Sequence, residues 1–185
     1  ACSPARGPSM RSKIVLLAGV LILVLVNWSI LGKEQHLAEG RVVYLELAPV
    51  DPRSLMQGDY MRLRFKLADE IRRQLPKKSH PQRWRHELDA ADGRVVVELD
   101  DHAVGHFKRL ENRQPLADNE VLMRYRVRNG QLKFASNAFF FQEGQASTYS
   151  SARYGKFRVD ERGELLLTSL HDEQLNMLQP PANQK

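Results

Sequence analysis

The sequence contains little cysteine and few aromatic side chains. After its first 32 residues, basic and acidic side chains are nearly equal in number. Cys2 is the one cysteine among 185 residues, so no disulfide can form within the chain and no thiol nucleophile follows. Aromatic residues make up 8%, which provides no stacking platform for bases. The first 32 residues hold three of the 28 basic side chains and none of the 22 acidic ones, which leaves 25 basic against 22 acidic. That excess is too small to indicate nucleic-acid binding, which requires a concentrated basic face, and we predict no nucleic-acid partner.

Charge is also absent from one long stretch, residues 14–31, whose sequence is IVLLAGVLILVLVNWSIL. A helix of that length covers about 27 Å, close to the thickness of the hydrocarbon core of a bilayer. Trp28 lies near its end, where an indole favours the membrane interface. Arg11 and Lys13 precede it as the positive flank that stays cytoplasmic. We predict one transmembrane helix over residues 14–31 and a cytoplasmic segment over residues 1–13.

The predicted helix favours a protein anchored by a single pass in a bacterial inner membrane, with the lipid bilayer as one partner. A cleaved signal peptide is the alternative, although no Ala-x-Ala cleavage site follows the apolar stretch. Met10 opens the basic segment before the helix, and we expect it to be the native start. Beyond the helix we expect a linker over residues 33–40, a periplasmic β-rich domain over 41–178 and a disordered tail over 179–185.

Alternating polarity is the main signal in the predicted domain. Met61, Leu63 and Phe65 alternate with basic residues, which is typical of a strand with one buried and one solvent-facing side. Comparable patterns predict strands over residues 41–47, 61–67, 83–88, 94–99, 102–110, 121–128, 132–141, 157–160 and 164–169.

Turn signals join these strands. Asp92-Gly93 and Asn129-Gly130 are typical of hairpin turns. Short helical segments are expected over residues 68–75, before Pro76, and over residues 170–178. The elements together predict a mainly β fold, either an antiparallel β-sandwich or a partly open β-barrel, with one or two short helices after the transmembrane helix.

Residues 58–65, with the sequence GDYMRLRF, carry the most distinctive motif. A second block begins with FFFQEG at residues 139–144 and continues with Tyr149, ARYG at residues 152–155 and RVD at residues 158–160. In this order the blocks resemble the GDYXXLXY family of membrane proteins, with Phe65 in place of the last tyrosine. The resemblance covers roughly residues 41–171. It implies an N-terminal membrane segment, an exported domain and a multi-spanning membrane protein as partner, and it brings no catalytic residues.

The motif itself predicts a turn followed by a strand. Gly58 can supply a positive φ, Asp59 can bond backbone amides in the turn, and Tyr60 can pack on the core. The candidate binding residues are Gly58, Asp59, Tyr60, Leu63, Phe65, Gln142, Glu143, Gly144 and Tyr154. An alternative function is an envelope ligand-binding or hydrolytic domain in which Asp59, Tyr60 and Glu143 converge on one cleft.

The remaining reactive side chains form no catalytic or metal-binding pattern. His102 and His106 are four residues apart in a predicted strand, where about 13 Å would separate them, too far to share an ion. We therefore predict no metal, no cofactor and no catalytic residue. A basic segment over residues 72–86 is expected to be a solvated loop or a contact for anionic headgroups or an acidic partner. The sequence favours a periplasmic accessory domain that docks on a multi-spanning inner-membrane protein.

Overall fold

The computed structural model describes residues 10–48, 60–75 and 90–180, which divide into two compact units between Glu39 and Gly40. The first unit is one helix, α1 (Met10–Glu39), whose large apolar side chains between residues 14 and 31 are 49–77% exposed. An 18-residue window of mean hydropathy 2.7 makes α1 long and apolar enough to cross a bilayer. A helix that is apolar all round suits lipid rather than water. The predicted helix over residues 14–31 is confirmed, and its character indicates single-pass membrane anchoring.

The second unit is built mainly from short strands. They are β1 (Arg41–Glu46), β2 (Tyr60–Arg62), β3 (Ala91–Leu99), β4 (Gly105–Leu110), β5 (Glu120–Arg128), β6 (Gln131–Lys133), β7 (Ala138–Phe140), β8 (Tyr154–Val159) and β9 (Leu165–His171). Helix α2 (Lys66–Gln74) follows β2, and a 3-10 helix (Ala146–Tyr149) follows β7. As predicted, α2 is amphipathic and ends before Pro76, but it begins at Lys66 rather than at Ala68 and therefore buries Leu67 as well as Ile71.

The strands form antiparallel sheets in the orders β1-β8-β9, β4-β3-β5-β6 and β2-β7. A backbone hydrogen bond of 2.9 Å from Tyr44 N–H to the Ala103 carbonyl links β1 to the segment that precedes β4. Another, of 2.8 Å, runs from Arg124 N–H to the Gly163 carbonyl and links β5 to the turn between β8 and β9. These connections bend the two larger sheets around a shared interior. The prediction of a mainly antiparallel β fold with a partly open barrel is confirmed.

The interior of this barrel is one hydrophobic core to which nearly every element contributes. Leu45, Val97 and Phe157 are completely buried, and they come from β1, β3 and β8. Burial alternates along β1 and along most of β5, as a strand with one solvent-facing side requires. The Asn129-Gly130 hairpin is also confirmed, because both residues have positive φ, 53° and 68°, as its tight turn needs.

Two predictions for the middle of the domain are wrong. Asp92 and Gly93 make no turn, because they lie inside β3, where Gly93 is opposite Tyr125 of β5. A Cβ on Gly93 would lie 2.5 Å from Tyr125 Cζ, so the glycine makes room for that ring. The expected strand over residues 132–141 is two strands, of which β6 pairs with β5 and β7 pairs with β2.

The predicted helical turn over residues 170–178 is also wrong. Asp172 Oδ1 accepts the backbone N–H groups of Gln174 and Asn176, each at 2.9 Å, and Leu175 has a positive φ of 61°. The segment is therefore a closed turn, which returns the chain to a bridge between His171 and Met177.

Two further predicted strands differ in extent from the observed ones, and a third predicted strand falls on residues that the structure does not describe. β2 ends at Arg62, although the predicted alternation of buried side chains persists to Leu67. β4 begins at Gly105 rather than at His102, because residues 100–103 make a turn. The strand expected over residues 83–88 lies outside the described residues.

Candidate functional site

The two blocks of the motif lie side by side, because β2 pairs with β7. Tyr60 is opposite Phe140, and Arg62 is opposite Ala138. The rings of Tyr60 and Phe140 are 5.8 Å apart between centroids and tilted by 40°. Aromatic pairs directly opposite each other on neighbouring strands stabilise the pairing. Residues that are 80 positions apart in the chain therefore form one local structure.

Leu63 and Phe65 serve the core. They are 2% and 1% exposed, and the Phe65 ring packs edge-on against Phe134 at 6.0 Å and Phe157 at 5.4 Å. Gly155 lets the Phe65 ring approach β8, since a Cβ at that position would lie 3.2 Å from Phe65 Cε1. Phe65 of the first block and Gly155 of the second block therefore fit each other sterically.

Strand β7 divides its aromatic side chains between the interior and the solvent. Phe139 and Phe141 pack on the buried ring of Tyr149, with centroids 5.0 and 5.3 Å away. Phe140 points the other way and is 74% exposed, beside the half-buried Tyr60. The strand pair therefore presents one large exposed ring that is held in place by internal packing of its neighbours.

The other candidate residues are placed as follows. Gly58 and Asp59 lie outside the described residues. Gln142, Glu143 and Gly144 form an exposed turn after β7, in which Gly144 has a φ of 82° and the Gln142 side chain accepts a hydrogen bond from Gln145. The convergence of Asp59, Tyr60 and Glu143 on one cleft stays a prediction.

Tyr154 belongs to a different sheet from Tyr60. It opens β8, half-buried, opposite Glu46 of β1 and His171 of β9. Pairing thus brings Tyr60 to the start of the second block, but it places Tyr154 of the same block in the β1-β8-β9 sheet.

A cleft of about 830 Å³ opens beside β2 and runs between residues 60–72 and residues 131–138. We call it the basic cleft, because its charged lining consists of Arg62, Arg64, Arg72, Lys133 and one acid, Asp69. Its deeper wall is apolar and comes from buried side chains that include Phe65 and Phe134. The alternation that begins at Met61 places two of these cations, because Arg62 and Arg64 turn outwards where Leu63 and Phe65 turn inwards, whereas Arg72 comes from α2 and Lys133 from β6.

A serine and a histidine that the sequence analysis overlooked meet on β9. Ser169 Oγ lies 2.9 Å from His171 Nε2, and His171 Nδ1 lies 2.8 Å from the Leu175 carbonyl. Since that carbonyl can only accept, Nδ1–H donates to it, and Nε2 shares a hydrogen bond with the Ser169 hydroxyl. His171 is 4% exposed, and its ring also packs edge-on against Tyr44. The arrangement holds the C-terminal turn, and the spacing of two along a strand was the signal that could have revealed it.

Glu120 is the buried carboxylate of the domain's main ion-pair network. Its side chain is 5% exposed and contacts Arg109 Nη1 at 2.9 Å and Lys108 Nζ at 3.1 Å. The hydrogen bond from Arg109 is the largest cause that lowers the pKa of Glu120 to about 2. The network ties β4 to the start of β5 and is structural in character. Within the described residues, no three His, Cys, Asp or Glu side chains form a group that could hold a metal ion.

Comparison with known proteins identifies one related group. The model of a family described as GDYXXLXY protein matches residues 22–170. The match starts inside α1 and extends to β9, so it takes in part of the apolar helix as well as the domain. No curated protein matches the chain, and no solved structure matches it.

Proposed function

The chain belongs to the GDYXXLXY family, and from this premise we propose that it is a membrane-anchored, non-enzymatic docking domain for a multi-spanning inner-membrane protein. Helix α1 supports the anchor, because its apolar side chains are exposed and need a lipid environment. Arg11 and Lys13 before the helix support a cytoplasmic N-terminus and a periplasmic domain. A reporter fused after Lys185 should be active in the periplasm, and activity in the cytoplasm would contradict this orientation.

The observation that carries the docking proposal is the exposed ring of Phe140 on the family's own strand pair. Aromatic side chains that are rigidly held and exposed are the usual anchors of protein interfaces. Phe140 is held between Phe139 and Phe141, both of which pack on Tyr149. The surface therefore offers a preorganised apolar contact, and its burial by a partner requires little further ordering.

The pairing of β2 and β7 adds a second means of contact. Among the described strands, β2 and β7 pair only with each other over residues 60–62 and 138–140, and we propose that an outer edge of this pair is open to a partner. Such edges can bond to an extended segment of another protein. An apolar anchor beside a free strand edge suits a loop of a membrane protein that projects from the bilayer.

The test is recovery of the tagged full chain from native membranes in a mild detergent. We expect one multi-spanning membrane protein in stoichiometric amount, and its loss when the variant Phe140→Ser is used. Leu116→Ser is the matched control, because Leu116 is an exposed apolar residue, 45% accessible, in the loop before β5. Recovery of the chain alone, or equal recovery of the partner by Phe140→Ser and the unmodified protein, would overturn the proposal.

A further inference from the structure

The basic cleft has the features of a site for a small ligand, and this assignment is independent of the docking surface. We infer that it binds a phosphorylated polyol, whose phosphate is held by Arg62, Arg72 and Lys133 while a hydroxyl donates to Asn137. Its volume of about 830 Å³ suits a molecule of that size with part of a larger substituent.

Among the described residues, most cations of the basic cleft have no ion-pair partner. Asp69 lies 3.4 Å from Arg64, which leaves Arg62, Arg72 and Lys133 without an ion pair among the described residues. Most other cations of the domain's strands are paired, as in Lys108–Glu98, Arg94–Glu111, Arg109–Glu120, Arg124–Glu164 and Arg128–Asp92. Three like charges on the rim of one cleft repel each other unless an anion binds between them. Guanidinium groups bind phosphate favourably, because two of its oxygens can accept paired hydrogen bonds.

Asn137 points to a ligand that also donates a hydrogen bond. Its backbone carbonyl accepts the Leu63 N–H at 2.7 Å, which fixes the residue against the end of β2. Its side-chain Oδ1 is buried and has no hydrogen-bond partner among the described residues. Neighbouring Ser136 cannot supply the donor, because its hydroxyl donates to the Ala138 carbonyl at 2.7 Å. A buried acceptor without a donor is unfavourable, and the fully ionised phosphate group of a phosphate monoester has no donor to offer. A hydroxyl on the same ligand meets this requirement.

The apolar wall below the cations strengthens the proposed contact. Leu63 and Phe65 line the cleft and are at most 2% exposed. The cations of the cleft therefore lie beside an apolar region that excludes water. An ion pair or charge-assisted hydrogen bond is stronger beside a medium of low dielectric constant. A phosphate seated there would be bound by more than long-range attraction.

The experiment is calorimetric titration of the full chain in phosphatidylcholine nanodiscs with glycerol 3-phosphate, inorganic phosphate and glycerol. We expect glycerol 3-phosphate to bind more tightly than inorganic phosphate, and glycerol alone not to bind. Absence of binding by both phosphate compounds at millimolar concentration would overturn the inference.

Variants with matched controls sharpen this test. Arg72→Ala should weaken glycerol 3-phosphate binding about tenfold, because a charge-assisted hydrogen bond to phosphate is lost. Arg73→Ala is the control, since Arg73 is equally exposed on α2 but does not line the cleft. Lys133→Ala should repeat the loss from the opposite wall. Equal effects of Arg72→Ala and Arg73→Ala would contradict a defined site.

Asn137→Leu tests the hydroxyl contact separately. It should remove the preference for glycerol 3-phosphate over inorganic phosphate and leave phosphate binding itself in place. An unchanged preference would contradict the role of Asn137.

A lipid headgroup and a free metabolite share this chemistry, and a second titration separates them. If the ligand is a lipid headgroup, nanodiscs that contain phosphatidylglycerol should weaken the binding of added glycerol 3-phosphate. If glycerol 3-phosphate binds equally well in both kinds of nanodisc, the ligand is a soluble phosphate ester.

Discussion

Leucine and valine meet opposite environments in the two units of this chain. In α1, Leu23 is 62% exposed and Val24 is 53% exposed, whereas in the domain Leu45 and Val97 are completely buried. The same side chains are thus used in two ways, and the pattern around them decides which. In the domain they alternate with polar residues and turn towards a core that the protein itself provides. In α1 they cover all sides of the helix, so the burial they need must come from lipid.

The comparison is tested most directly by replacing one leucine with alanine in each unit. Leu45→Ala should lower the free energy of unfolding of the domain by about 2–5 kcal/mol, because it leaves a cavity in the core. Leu23→Ala should leave that free energy unchanged. Both values can be measured by denaturant titration of the full chain in detergent, and a similar loss from Leu23→Ala would show that α1 contributes to domain stability.

Introducing a charge into α1 tests the lipid side of the comparison. Leu23→Arg should weaken membrane insertion by about 2.5–3.5 kcal/mol, the cost of an arginine at the centre of a transmembrane helix. The measurement is the share of protein that resists extraction from membranes at alkaline pH, with Leu23→Ala as the uncharged control. The melting temperature of the domain should not move. Undiminished resistance of Leu23→Arg would contradict a membrane-spanning α1.

Adding a methyl group to a glycine in each unit gives a smaller difference. Gly155→Ala should destabilise the domain by about 1–3 kcal/mol, since the new Cβ meets Phe65 and Phe157 at 3.2 Å. Gly19→Ala in α1 meets nothing within 4 Å and should leave the domain unaffected. Thermal melts of the two variants check this, and a stable Gly155→Ala protein would mean that the Phe65 ring can shift.

The smallest expected effect concerns pH. The pKa of Glu120 is lowered from its ordinary 4.5 to about 2, so its ionised form stabilises the fold above the unfolded value and this contribution falls as the pH drops towards 2. Glu120→Gln should therefore have a lower melting temperature than the unmodified chain at pH 6, and the gap should narrow by pH 3. If the difference in melting temperature between the two proteins stays constant with pH, the ion pairs of Glu120 are not its cause.

Local signals account for what the sequence predicts well. The uncharged stretch specifies α1, and the Asn129-Gly130 pair specifies its hairpin, because in each case neighbouring residues determine the conformation. Asp92-Gly93 carries a similar turn signal, yet it lies in a strand, because Gly93 is needed for the close approach of Tyr125 from β5. A contact between residues more than 30 positions apart overrides the local preference there, and no pattern within a few residues reveals it.

The same distinction applies to the candidate site. The motif could be located from the sequence, and so could the inward direction of Leu63 and Phe65. The pairing of Tyr60 with Phe140 could not, because it joins two short strands across 80 residues. The basic cleft depends on that pairing, since β7 and the segment before it bring Asn137 and Lys133 to the arginines. Its charges are therefore dispersed in the sequence and gathered only by the fold.

The pairing of β1 with β8 has a consequence for biosynthesis. Arg41 is opposite Val159, so the first strand of the domain finds its neighbour only after some 118 further residues have been made. At about 5–20 residues per second that takes roughly 6–24 s, during which β1 lacks the strand with which it pairs along its whole length. In a chain anchored by α1, β1 therefore emerges before β8 is available to pair with it. We expect the nascent domain to depend on chaperones on the side of the membrane where it emerges until β8 arrives.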